Sequence, residues 1–225
     1  ERHAPLAAAG AAEDATVREY RRGDDLRRVH WRSSARVGEL MVRREEHPWE
    51  ARATVLVDDR ESAHAGHGPT SSLETAVVIA ASVAEHLDQR GYAVRLATSA
   101  GLVESGTDQL SLLLEHLAVL GLRRRASLDV GWHDEPGRSG IVVGIFGNLT
   151  GDDALPLRRL RQGAAIAAGF ALDTSQWAGH GAGRTADNES ARALRDQGWR
   201  AVPMGRATSV ESAWRDLAAS AEVRR

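Results

Sequence analysis

The stretch Ala53-Thr54-Val55-Leu56-Val57-Asp58 decides how this chain is read. It is short, apolar and β-branched, and it ends on an acid. Its apolar residues do not alternate with polar ones as in a half-exposed strand. That is the pattern of a strand covered on both faces, as in a parallel sheet under helices.

Working outward, residues 73–90 have helical periodicity, with Leu73, Val77, Ala80, Ala81, Ala84 and Leu87 on one face and Gly91 at the end. Residues 92–98 form the next strand. Residues 108–120 form a second helix that turns Leu110, Leu113, Leu114, Leu117 and Leu120 inward and stops at Gly121. A third buried strand covers 140–146, and a short helix runs through Leu155, Leu157, Leu160 and Arg161. Residues 164–172 read as a strand, although their alanines leave helix open. Residues 188–197 are helical, 199–202 make a final strand and 209–219 the last helix. Strands separated by helices of these lengths imply an α/β fold with a doubly wound, mainly parallel sheet over 51–220. Ahead of it, 1–13 are an Ala-rich lead-in, and 14–50 a small β-rich extension with a short strand in 39–45 after a turn at Gly38.

Composition narrows the function classes. A net charge of -2 argues against a general nucleic-acid binder, and 4% aromatic residues argue against base-stacking platforms. The chain has no Cys, which removes disulfides, thiolate metal sites and a Cys nucleophile. All 29 basic residues are Arg. That removes a Schiff-base lysine and a phosphate-loop lysine. G-x-S-x-G, a Walker loop and a G-x-G-x-x-G after a strand are all missing. No window approaches the roughly 20 apolar residues of a membrane helix.

The extension contains Val17-Arg18-Glu19-Tyr20-Arg21-Arg22-Gly23-Asp24-Asp25-Leu26-Arg27-Arg28-Val29-His30-Trp31-Arg32-Ser33-Ser34-Ala35-Arg36. It resembles the signature R-E-Y-x-x-G-D-x-x-R-x-I/V-H-W-[KR]-x-[ST]-A-R of the bacterial domain-of-unknown-function family 58, a branch of the von Willebrand factor A-like (vWA) proteins. Arg18, Glu19, Tyr20, Gly23, Asp24, Arg28, His30, Trp31, Arg32, Ser34, Ala35 and Arg36 fall on it. The resemblance implies a vWA/Rossmann-like fold over roughly 14–220. It also implies a membrane-anchored bacterial protein, with two helices ahead of this region and this part on the cytoplasmic side. Such families are encoded beside MoxR-type AAA+ ATPases, so an interaction or assembly role with such an ATPase is expected.

In a doubly wound sheet, ligands lie outside the carboxyl ends of the strands. Asp58-Asp59-Arg60-Glu61-Ser62 sits there. vWA domains bear a metal motif, D-x-S-x-S, at this place, completed by a Thr and an Asp from later loops. Here Asp58 and Ser62 match and Arg60 replaces the first Ser. A guanidinium repels a cation and pairs with Asp58. No Asp directly follows the third strand, where Asn148, Thr150 and Asp152 come instead. The expectation is a degenerate site without tight Mg²⁺ and no cofactor. The alternative is a metal-dependent hydrolase or ligand-binding enzyme using the Asp58 edge.

Asp24 and His30 offer an acid/base pair, but without a nucleophile or third partner they read as hydrogen-bonding residues. Trp31 and Tyr20 are expected to pack the segment against the sheet. Arg18, Arg28, Arg32 and Arg36 are expected to pair with Glu19, Asp24, Asp25 and Glu39. His64 and His67 read as a solvated pair on a Gly-rich loop, and His180-Gly181-Ala182-Gly183 as a loop without a phosphate-binding frame. Asp173-Thr174-Ser175 reads as a ligand-edge turn. Trp177, Trp199 and Trp214 read as packing residues. Asp58, Asp59, Arg60, Ser62, Asn148, Thr150, Asp173 and Ser175 together form the expected partner edge.

Overall fold

The computed structural model describes residues 17–19, 29, 31–43, 52–103, 109–128, 130–131, 140–178 and 188–219. The chain divides into two units, Glu1–Glu50 and Ala51–Arg225.

In the first unit, β1 (Val17–Glu19) pairs antiparallel with β2 (Met41–Arg43), Arg18 opposite Val42. A seven-residue helix, α1 (Trp31–Val37), lies between them in sequence. It is closed by Gly38 at φ 83°, a left-handed conformation that glycine adopts without steric penalty. Ser34 ties helix to ribbon, its Oγ accepting the Met41 N–H at 2.8 Å. Among the described residues of the extension, the two-stranded ribbon is joined by a helix at the end of the signature. Trp31, expected to be a packing residue, is 69% exposed. Val29 is buried. Tyr20, Gly23, Asp24, Arg28 and His30 lie outside the described residues, as do the side chains of Arg18 and Arg32.

The second unit is a six-stranded sheet. Its strands are β3 (Arg52–Val57), β4 (Ala93–Thr98), β5 (Gly101–Leu102), β6 (Ile141–Phe146), β7 (Ile166–Leu172) and β8 (Arg200–Met204). They lie in the order β5-β4-β3-β6-β7-β8. Every pairing is parallel except β4 with the two-residue β5. Counted within the sheet, this is the 3-2-1-4-5-6 order of doubly wound nucleotide-binding folds, here with an antiparallel edge.

The pleat sends alternate residues into two cores. Val55, Val57, Val143 and Ile145 meet α2 (Ser72–Asp88), α3 (Gln109–Ala118) and α6 (Val210–Ala219) on one face. Leu56, Val142 and Phe146 meet α4 (Ala154–Gly163) and α5 (Glu189–Asp196) on the other. Both faces being covered is why β3 reads as an unbroken apolar run. The inward stripe of α2 is centred on Ala76, Ile79, Ala80, Val83, Ala84 and Leu87, rotated from the expected one, with Val77 and Ala81 only partly buried. On α3, Leu113 and Leu117 are buried and Leu114 is 38% exposed, because this short helix covers the sheet margin with a narrow stripe. Trp199 is buried, its Nε1 donating to the Leu157 carbonyl at 2.9 Å and its ring edge-on to Phe146. Among the described residues, no helix is long and apolar enough to cross a membrane.

Candidate functional site

The strand order reverses between β3 and β6, and the loops leaving their carboxyl ends meet there. The Asp58 N–H continues the sheet ladder to the Ile145 carbonyl at 3.0 Å, which fixes the start of the first loop. Arg60 then folds back. Its Nε donates to Asp58 Oδ1 and its Nη2 to Asp58 Oδ2, each at 2.8 Å, in a two-pronged fork. The remaining arm, Nη1, donates to Asp153 Oδ1 at 2.7 Å. Asp153 is held in turn, since its Oδ2 accepts the Thr150 N–H at 2.9 Å and the Thr150 hydroxyl at 3.3 Å.

All three charged residues are sealed from water, with relative exposures of 0% for Asp58, 3% for Arg60 and 1% for Asp153. Burial by itself pushes the guanidinium toward losing its proton. The hydrogen bonds and charges of the two carboxylates outweigh it and leave the Arg60 pKa raised. Arg60 therefore stays cationic between two carboxylates, where a divalent cation would be sought in this type of sheet. Both Asp58 oxygens and one Asp153 oxygen are engaged by the guanidinium, and Ser62 is exposed. This donor set does not fit a divalent ion. The described residues include no cluster of three or more His, Asp or Glu able to hold one.

Asp59 points the other way. It is fully buried, its Oδ1 accepting the Ser99 N–H at 2.9 Å and its Oδ2 facing Arg123 Nε at 3.1 Å without hydrogen-bond alignment. It joins the first loop to the end of β4 and to the chain beyond α3. Asp59, placed on the partner edge by its position in the sequence, is instead a buried structural residue.

His64 departs from the reading of a solvated pair. Its Nε2 meets the Asp58 carbonyl and its Nδ1 meets Ser72 Oγ at 2.9 Å. The carbonyl only accepts, so Nε2 carries the proton and Nδ1 accepts from the Ser72 hydroxyl. Ser72 Oγ also accepts the Ala65 N–H at 2.9 Å. Burial lowers the His64 pKa from 6.5. The Asp58 carbonyl and the charges of Asp58 and Asp59 pull it back only in part. His64 is thus a neutral clamp between the first loop and α2, whereas His67 is exposed.

The 3-10 turn Glu61–Ala63 lies hard against the end of β6. The Asn148 N–H donates to the Ala63 carbonyl at 2.8 Å. A Cβ on Gly147 would lie 1.8 Å from that oxygen, so only glycine fits. Asn148, Thr150 and Ser175 are exposed, as expected of edge residues. Asp173 is half-buried and internally used, accepting from Ser175 Oγ at 2.6 Å and Gln176 Nε2 at 2.9 Å. The loop at 180–183 lies outside the described residues.

Two participants escape a reading from sequence. Asp153 closes the cluster, and its signal is the Thr150-Gly151-Asp152-Asp153 spacing of a helix-capping box. Arg123 reaches the site from beyond α3. Its N–H donates to the Asp59 carbonyl and its carbonyl accepts the Glu61 N–H, each at 2.8 Å.

The family described as "Protein of unknown function DUF58" matches residues 16–130, just over half of the 225-residue chain. No curated protein matches. Among solved structures, the crystal structure of the SpRpn10 VWA domain is similar, with a TM-score of 0.43 and 14% identity over 77% of this chain and 96% of that one.

Proposed function

The chain belongs to the family of proteins of unknown function DUF58, and within it we propose that this chain is a protein-interaction module whose partner surface is the carboxyl edge of the sheet. The observation that carries this reading is the sealed Asp58–Arg60–Asp153 cluster. A hydrolytic centre presents its acid, base or Lewis acid to substrate. Here the acids that mark the edge are buried and spent on an internal cation. What remains open is a rim of exposed polar residues, Glu61, Ser62, Asn148, Thr150, Asp152 and Ser175, on loops held by a rigid sheet. Such loops are where binding residues concentrate.

As partner we propose a MoxR-type AAA+ ATPase, with this region on the cytoplasmic side of a membrane-anchored protein. The signature in 17–36 and the family match support that assignment. The test is capture of the ATPase by the full-length protein carrying Asn148→Arg or Ser175→Arg, after circular dichroism shows each variant folded. Edge variants are expected to lose the ATPase, while Glu85→Arg on α2 keeps it. Retention of the ATPase by both folded edge variants overturns the reading.

A further inference from the structure

Beyond α3 the chain runs Gly121-Leu122-Arg123-Arg124-Arg125. It lies alongside the first edge loop, bridged in parallel to Arg60. A cavity of about 190 Å³ opens beside it, walled by Leu96, Leu102, Val119 and Leu120, with His116 and Arg123 on its lining. Its apolar surround is open, with Val119 82% and Leu122 44% exposed. Arg123 also lines a shallower depression of about 400 Å³ with Glu61, Ser62, Arg124 and Arg125. The two hollows therefore share a wall; the first sets aliphatic side chains beside Thr98, His116 and Arg123, and the second is flanked by three arginines and Glu61.

We propose that this pair of hollows is a docking groove for an extended acidic peptide segment of the partner, an aliphatic side chain filling the cavity and carboxylates meeting Arg124 and Arg125. The proposal rests on the reading of the carboxyl edge as the partner surface and names the partner's chemistry there. Three features favour this occupant. The first is charge. Arg123, Arg124 and Arg125 line the depression with Glu61 as the exposed carboxylate among them, while Asp59, which the Arg123 guanidinium meets, is buried. Arg124 is bound to Glu61 through Nε at 3.0 Å with its side chain 91% exposed, and a guanidinium has further donors in a planar fork suited to carboxylates. The second is rigidity. Hydrogen bonds to Asp59 and Glu61 fix the Arg123 backbone, so the groove is formed before binding. The third is the sheet margin. β5 ends the strand order, and Gly101, Leu102 and Val103 line the cavity, so an extended segment lies along a strand edge.

Selection of a random displayed heptapeptide library on the full chain tests this. Enriched peptides are expected to carry Asp or Glu next to Leu, Ile, Val or Met. A synthetic copy of one should bind about tenfold more weakly to Arg124→Glu/Arg125→Glu and to Val119→Asp, and should weaken as salt rises. No enrichment, enrichment without acidic residues, or unchanged binding to both folded variants overturns the groove. The edge reading is judged separately. A full-length Arg124→Glu/Arg125→Glu protein that keeps its ATPase while Asn148→Arg loses it leaves the edge standing and removes the groove. Loss through neither removes both.

Discussion

Arg60 and Asp153, 93 residues apart in the chain, meet at 2.7 Å in the interior, and the same guanidinium grips Asp58 with its other two nitrogens. The first loop after β3 and the loop after β6 are thereby tied by an internal cation. Buried ion pairs are costly to assemble and costlier to break from one side.

Replacing Arg60 with Met leaves two buried carboxylates without a counter-charge. The loss of stability should be about 3–5 kcal/mol, read from urea denaturation at neutral pH. Lys at this position keeps the charge but not the fork, and should fall between Met and the native protein. A Met variant as stable as the native chain would show the cluster to be dispensable for folding.

Gly147 is expected to tolerate no side chain. In Gly147→Ala the new methyl would meet the Ala63 carbonyl, so the 3-10 turn must move, at about 1–3 kcal/mol or more. Thermal melts of this variant, with Gly151→Ala as the control in open space, decide the matter.

The neutral His64 clamp makes stability depend on pH with a definite sign. Its folded pKa lies below the unfolded 6.5, so the unfolded chain binds the extra proton first. The clamp's contribution is complete above about pH 6.5 and is lost as pH falls through the folded value. His64→Gln should therefore show a flatter fall in stability between pH 7.5 and 5.5 than the native protein. Parallel slopes for the two proteins would remove His64 from the account.

Two tryptophans should respond in opposite ways. Trp199→Ala removes a buried ring, its hydrogen bond to Leu157 and its contact with Phe146, and should cost about 3–5 kcal/mol. Trp31→Ala, at an exposed position, should stay within about 0.5 kcal/mol. A large loss at Trp31 would contradict the exposed placement of its ring.

How far the sequence discloses this molecule follows from how local each signal is. The β3 run, the helix stripe ending at Gly91 and the Trp199 strand carry their periods within a few residues, and the sheet is assembled from them. β5 is two residues long and α1 seven, too short for a period to show. Arg60 opposite Asp58 is readable from a two-residue spacing. Asp153 is not, because it comes from a distant loop and its local role as a helix cap hides its role in the cluster. Arg123 is hidden for a similar reason. It reads as one of three surface arginines until the fold sets its backbone against Asp59 and Glu61.

The claim that the edge is centred on an internal guanidinium, with no place for a metal ion, is tested most directly by titrating Mg²⁺ and Mn²⁺ into the native chain, Arg60→Ser and Asp58→Ala, followed by calorimetry. The native chain should give no heat beyond dilution. Arg60→Ser, if folded, should gain binding, because Asp58 and Asp153 are then released to a cation. Low-micromolar binding by the native protein, abolished in Asp58→Ala, would contradict the account.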